Sequence, residues 1–166
     1  MMSVASATSC LAFSSVTLAW DRSPDPTVTG YYLYYGGRSG TYTNRLSAGS
    51  TSNTVPNLTS GVTYYFVVTA YTAAGLESDP SNEVGYTVPM PAPRITNAHR
   101  LPTGNFSVAG TGGPSQTCVL QAASSLGAPV VWTSISTNVA DANGLFSCSD
   151  LRATNYAKRF YRIQVR

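Results

Sequence analysis

The chain holds few residues with which to do chemistry. Of its 166 residues one is a histidine, His99, seven are acids and three are cysteines. A hydrolytic triad needs a serine on a strained turn with a histidine and an acid in reach. His99 stands in "TNAHRL", where a local hydrogen bond on a strand or turn is the ordinary role, and no serine sits in such a turn context. Glycoside cleavage needs two carboxyl groups across one bond. Asp25, Asp79 and Glu83 fall among turn residues, where capping accounts for them, and Asp141 and Asp150 flank a single hairpin-like segment. The cysteines and the histidine lack zinc spacing. Asp141, Asn143 and Asp150 are oxygen donors of the kind calcium takes, and calcium is the one cofactor left open. The expectation is a protein that is not an enzyme, with no catalytic residues and no metal ligands. Cys118 and Cys148 each lie in an alternating segment of the same half of the chain. A disulfide between them would close a loop of about 30 residues, stabilise by roughly 3 kcal/mol and imply an oxidising location. Cys10 is then left over, unpaired or linking two copies.

The elements that would position any site are strands. Apolar residues make up 43% of the chain and alternate in short runs between Gly, Pro, Asn and Asp, which reads as all-β. Charged residues are only 10%, against about 25% in an average domain. Such a Ser-, Thr-, Asn- and Tyr-rich surface suits an extracellular or cell-surface protein. No apolar stretch is long enough for a membrane span. Charge is unevenly spread: residues 1–89 carry three basic and five acidic residues, and residues 90–166 carry seven and two. With one lysine and no continuous basic run, the basic half reads as a charge-protected edge strand, and no nucleic acid is expected as partner. The opening "MMSVASATSCLAF" lacks a basic segment and a sustained apolar run, so it makes a poor secretory signal. It suits either a trimmed secreted protein or one assembled onto a particle.

Three features lie in the first half: Trp20 in "VTLAWD", the alternation Tyr31, Leu33, Tyr35 in "GYYLYYG", and Leu58 six residues before Tyr64 in "LTSGVTYYFVVTAY". Together they resemble a fibronectin type III domain over residues 14–88, and modules of that family in secreted bacterial proteins above all. The resemblance implies an immunoglobulin-like β-sandwich in which Trp20, Tyr31, Leu33 and Tyr35 fill the core and Leu58 and Tyr64 build a tyrosine corner. It departs from the family at residues 1–13, which are Ser-rich and lack the usual proline, so the first strand is expected to be weak or exchanged between copies. Residues 89–94 read as a proline-stiffened linker. Residues 95–166 form a second, small β-sandwich or barrel, similar through "LQAASSL", Trp132, "ADANGLFSCSD" and "RFYRIQV" to domains at the carboxyl ends of large secreted bacterial proteins. Asn143-Gly144 within it signals a type I′ hairpin.

The tyrosines are the candidate binding surface. If Tyr31, Leu33, Tyr35, Tyr64 and Phe66 face inward, strand alternation turns Tyr32, Tyr34, Tyr65 and Tyr71 outward on neighbouring strands, joined by Tyr42. Such a patch would pack against another copy, bind a surface polysaccharide, or only stabilise the sheet through cross-strand pairs. The leading expectation is a non-catalytic structural or adhesive subunit of an extracellular filament or appendage, associating with itself. The alternatives are a carbohydrate-binding or spacer module of a secreted hydrolase and a virion decoration protein.

Overall fold

A computed structural model describes the backbone of residues 3–10 and 13–166 and the side chains from Ser14 onward. The described residues form thirteen strands and one 3-10 turn, with no α-helix, so the fold is all-β as the alternation predicts. The chain divides into two compact units, residues 1–89 and 90–166.

The first unit is a sandwich of two sheets. One is β1 (Ser3–Cys10), β2 (Phe13–Ala19) and β5 (Ser52–Leu58), in the order β1-β2-β5. The other is β3 (Val28–Gly36), β4 (Asn44–Ala48), β6 (Thr63–Thr72) and β7 (Val84–Thr87), in the order β4-β3-β6-β7. Inward residues of both sheets meet in one core: Val16, Leu18 and Trp20 with Val55 and Leu58 from one side, Tyr31, Leu33, Phe66 and Val68 from the other. The first strand, β1, pairs antiparallel with β2 of the same chain along Ser3–Cys10, with one register shift between Val4 and Ser6. Strand pairing uses main-chain groups, which a Ser-rich segment supplies as well as any other. Strands β4 and β5 are the ones the sequence hides, because polar residues outnumber their buried anchors Ala48, Val55 and Leu58.

The second unit also holds two sheets. Strands β8 (Arg94–Arg100), β9 (Phe106–Thr111) and β12 (Leu145–Asp150) run in the order β12-β9-β8, and β10 (Thr117–Ala123), β11 (Thr133–Val139) and β13 (Phe160–Val165) in the order β11-β10-β13. Val108, Leu120 and Cys148 form one buried cluster, and Cys118, Ala140 and Phe146 a second. Met90 and Pro93 lie against Gly113 and Gly112, so the proline-rich segment packs onto this unit.

Two expectations are corrected here. Cys118 and Cys148 are free, buried thiols and not a disulfide. They lie on strands of different sheets and serve as small apolar fillers, the usual role of a buried cysteine. Burial pushes the Cys118 thiol above its ordinary pKa, with the neighbouring Cys148 adding to the shift. The pairing of Cys10 lies outside the described side chains. The Asn143-Gly144 turn is not a type I′ hairpin, which requires positive φ at both residues. Gly144 has φ +77°, whereas Asn143 is not among the positive-φ residues. Gly144 N–H donates to Asp141 O at 2.9 Å, and Asp141 Oδ1 accepts from the N–H groups of Asn143 and Leu145, both at 2.8 Å. The turn carries the chain from β11 in one sheet to β12 in the other, so it changes sheets.

Candidate binding surface

Register places the outward residues of the larger first-unit sheet. Across β3 and β6 the pairs are Gly30–Tyr71, Tyr32–Thr69, Tyr34–Val67 and Gly36–Tyr65. Two of the four tyrosines, Tyr71 and Tyr65, face a glycine across this ladder, and Tyr65 faces a second one, Gly85, on its other side. A Cβ at Gly30 would fall 2.4 Å from the Tyr71 hydroxyl, so only glycine lets that ring lie across the strand. Tyr65 covers Gly85 of β7 in the same manner, at 3.4 Å. Aromatic rings laid over cross-strand glycines restore packing that the missing side chain removes.

Three of the five tyrosines form one group. Tyr32 stacks on Tyr71 with ring centroids 4.4 Å apart and meets Tyr34 edge-on at 6.3 Å. From the β4 side, the Arg45 guanidinium sits 4.4 Å from the Tyr32 ring centre. Tyr32 is thus flanked by a cation from one neighbouring strand and an aromatic ring from the other. Beneath this layer, Val67 and Thr69 are only 4% and 5% exposed although they point away from the core. Tyr65 shares the face but makes no ring contact with the group among the described residues. Tyr42 is held apart by Glu83.

The hydroxyls are engaged as well. Tyr34 donates to Glu77 Oε1 at 2.8 Å, and Thr69 donates to the same oxygen at 2.6 Å. Tyr42 donates to Glu83 Oε2 at 2.6 Å, while Ser39 Oγ and Gly40 N–H donate to Glu83 at 2.6 and 2.9 Å. Burial and the glutamate bond push the Tyr34 phenol above its usual pKa. Glu77 is held below the usual carboxylate range, first by Thr69 and then by Tyr34. Glu83 is lowered by Ser39, Tyr42 and Gly40. Both glutamates are missed by the sequence reading, which gives Glu83 a turn role and Glu77 none. A carboxylate whose folded-state pKa is depressed contributes stability above its unfolded pKa, and loses it as pH falls through the lower folded value. The thermal midpoint of the first unit is therefore expected to fall between about pH 5 and pH 3, and Glu77→Gln to flatten that fall. An unchanged acid slope in the variant would show that the Glu77 bonds are not linked to folding.

The core positions are placed as follows. Trp20 meets Tyr31 edge-on at 5.7 Å, and the Tyr31 hydroxyl accepts from Ser23 N–H at 2.9 Å. Leu33 is fully buried, and Tyr35 stacks on Phe66 at 5.9 Å. The Tyr64 hydroxyl accepts from Thr59 N–H at 3.3 Å, one residue past the buried Leu58, which pins the turn before β6.

The residues considered for chemistry are dispersed. His99 is on exposed β8 with Nδ1 3.3 Å from Asn97 Oδ1. Asp25 Oδ1 accepts from Thr27 N–H and its hydroxyl, a local turn bond. Asp141 and Asp150 lie at opposite ends of β12, so with Asn143 they do not converge on one calcium site. Among the described residues no group of three potential metal ligands exists.

Asp150 is the residue the turn reading misplaces. It is 1% exposed, and its Oδ2 accepts from Arg159 Nη1 at 2.5 Å and from the Tyr161 hydroxyl at 3.0 Å, while Oδ1 accepts from Arg152 N–H at 2.9 Å. Burial and the Asp150 carboxylate push the Tyr161 phenol up to about 12, which keeps it a donor. Phe106, Phe146, Cys148 and Asp150 show the available signal: strand parity puts Asp150 on the same inward face as Phe146 and Cys148 of β12.

Fold and surface together define a tandem β-sandwich protein built on an immunoglobulin-like first unit. Residues 8–85 match the family model for the fibronectin type III domain, and that part of the chain is such a domain, a kind that is generally non-catalytic. The chain is 38% identical over 99 residues to chitinase A1 of Niallia circulans, an alignment covering 59% of the chain and 13% of that protein. The chain thus matches only a small part of the enzyme's length. Among solved structures, a segment of two fibronectin type III domains from chicken tenascin superposes with a TM-score of 0.63 at 15% identity. It covers 100% of this chain and 98% of the tenascin segment, a likeness of fold.

Proposed function

We propose that the chain is a non-catalytic accessory segment of an extracellular polysaccharide hydrolase, acting as a spacer or binding module. The observation that carries this reading is the alignment with chitinase A1, which is substantial in identity yet confined to 13% of the enzyme. A short shared segment within a long enzyme is what a reusable accessory module leaves. The low charge and the Ser-, Thr- and Asn-rich surface fit work outside the cell. A self-associating filament subunit would draw on an exchanged first strand and an aromatic face open to another copy. Here β1 pairs with β2 of the same chain, and the rings of Tyr32, Tyr34 and Tyr71 are spent largely on one another, so both supports are weaker.

Engagement of the Tyr32 ring also favours the spacer role for the first unit. A sugar stacks on the flat of an aromatic ring, and both flanks of Tyr32 are already taken. What the stack supplies is stiffness across β4, β3 and β6. The test is to place a chitinase catalytic domain on this chain and compare it with the bare catalytic domain. Turnover of a soluble chito-oligosaccharide is expected to be equal in the two, and hydrolysis of insoluble chitin to be faster with the chain attached. Equal rates on the insoluble substrate would overturn the proposal. Tyr32→Ala and Tyr34→Ala are expected to leave retention on insoluble polysaccharide unchanged, and a loss would restore the tyrosine face as a contact surface.

A further inference from the structure

We infer that the second unit carries a site for an uncharged pyranose chain, in a cleft beside the open edges of β11 and β12. This deepens the accessory-module reading above and rests on it for the class of ligand. The cleft measures about 610 Å³ and is lined by Ser134 and Ser136 of β11, Ser149 of β12, and Tyr156 and Arg159 of the following loop. That size lies within the roughly 300–1,000 Å³ of small-molecule sites.

Three properties point to sugar. The walls offer hydroxyls, each able to donate and accept, which suits a ligand whose own groups are hydroxyls. Three charged residues line the cleft: Asp150 and Arg159 neutralise each other in a salt bridge, and Arg152 is exposed. The buried pair itself demands no ionic ligand. One aromatic ring lines it, Tyr156, 41% exposed, with a flat face of the kind on which a sugar ring stacks.

The ring is also held still. Its partner is the Arg159 guanidinium, 3.9 Å from the ring centre and only 10% exposed at the side chain. Arg159 is in turn fixed by Asp150, itself bonded to Tyr161 and to Arg152 N–H. Between these anchors the loop makes a 3-10 turn, Ala153–Asn155, with Ala153 buried and Asn155 N–H bonded to Arg152 O at 3.0 Å. A loop tip with an exposed aromatic would ordinarily be mobile. Here a buried ion pair orients the ring before any ligand arrives, which lowers the entropic cost of binding. Tyr156 supplies the stacking platform, the serines the polar contacts, and Arg159 and Asp150 act as positioning residues behind them.

The test is titration of the full chain with chitohexaose, followed by calorimetry and by ligand-detected NMR. Saturable binding is expected. Tyr156→Ala is expected to weaken it by about tenfold, and Tyr156→Phe to keep it, since the flat ring is what counts. Thr133→Trp fills the cleft from an exposed position without removing the platform, and is expected to weaken binding as well. Tyr32→Ala in the first unit should bind as the unaltered chain does. The proposal falls if the unaltered chain does not bind chitohexaose, or if Tyr156→Ala and Thr133→Trp both bind normally with unchanged thermal midpoints. A chain that fails to bind yet still speeds an attached catalytic domain on insoluble chitin removes this site and leaves the accessory role. A chain that binds through Tyr156 without such an effect does the reverse.

Discussion

Asp150→Ala is expected to destabilise the second unit by about 3–5 kcal/mol, the usual cost of removing one partner of a buried ion pair. The side chain does three jobs at once. It neutralises Arg159, accepts the Tyr161 hydroxyl, and caps the chain at Arg152 where β12 gives way to the 3-10 turn. Without it, a guanidinium that is nine-tenths buried keeps its charge with no counter-ion, because arginine does not deprotonate in proteins. The phenol of Tyr161, stacked on Phe106 with centroids 4.5 Å apart, loses its acceptor in the same region. The penalty is one of orphaned partners, so it should shrink when they are removed together. The triple variant Asp150→Leu, Arg159→Met, Tyr161→Phe is expected to be more stable than Asp150→Ala alone, since matched apolar replacement of a buried pair is often near neutral. Urea midpoints of the two variants decide the matter. A loss within about 1 kcal/mol for Asp150→Ala would mean that Arg159 finds water on unpairing, and that the loop carrying Tyr156 is less tightly held than the geometry requires.

How much of this was legible in the sequence depends on what kind of residue carries the information. The strands around Trp20, Tyr31–Tyr35 and Tyr64–Tyr71 announce themselves because large apolar side chains alternate there, and a period of two is hard to produce by accident. Strands β1, β4 and β5 do not, because β1 is Ser-rich and in β4 and β5 polar residues outnumber the buried anchors Ala48, Val55 and Leu58. Asn143-Gly144 misleads for a related reason. The dipeptide favours a tight turn, but whether the flanking strands pair is decided by the sheets they join, and β11 and β12 join different ones. Cys118 and Cys148 are buried on strands of different sheets without forming a bond, and composition alone cannot separate a thiol that packs from one that links. Parity separates Tyr31, Tyr35 and Tyr64, which pack in or against the core, from Tyr32, Tyr34, Tyr65 and Tyr71. What parity lacks is the second layer: nothing in the spacing says that Arg45 would cover Tyr32, or that Glu77 and Glu83 would take the phenols. Those partners come from other strands and loops 13 to 43 residues away, as in the Arg45–Tyr32 contact and the Tyr34–Glu77 bond.

The two faces of β6 provide the sharpest check on that second layer. Phe66 is fully buried, stacks on Tyr35, and pairs across the ladder with Val84. Phe66→Ala is expected to cost about 3–5 kcal/mol, from lost transfer free energy and the cavity left behind. Val67, the next residue, points the other way. On an open sheet face a valine-to-alanine change would lie within about 0.5 kcal/mol. Val67 is only 4% exposed, however, beneath the tyrosine layer and opposite Tyr34. Val67→Ala is therefore expected to cost about 1–3 kcal/mol, as a core valine would. Adding Tyr34→Ala should make the Val67 change less costly than it is alone, because removing the cover exposes the site. Denaturant unfolding of the four proteins completes the cycle. If Val67→Ala proves neutral and independent of Tyr34, the tyrosines stand clear of the sheet and are free to stack on a ligand, and the division of labour between a stiff first unit and a binding second unit gives way.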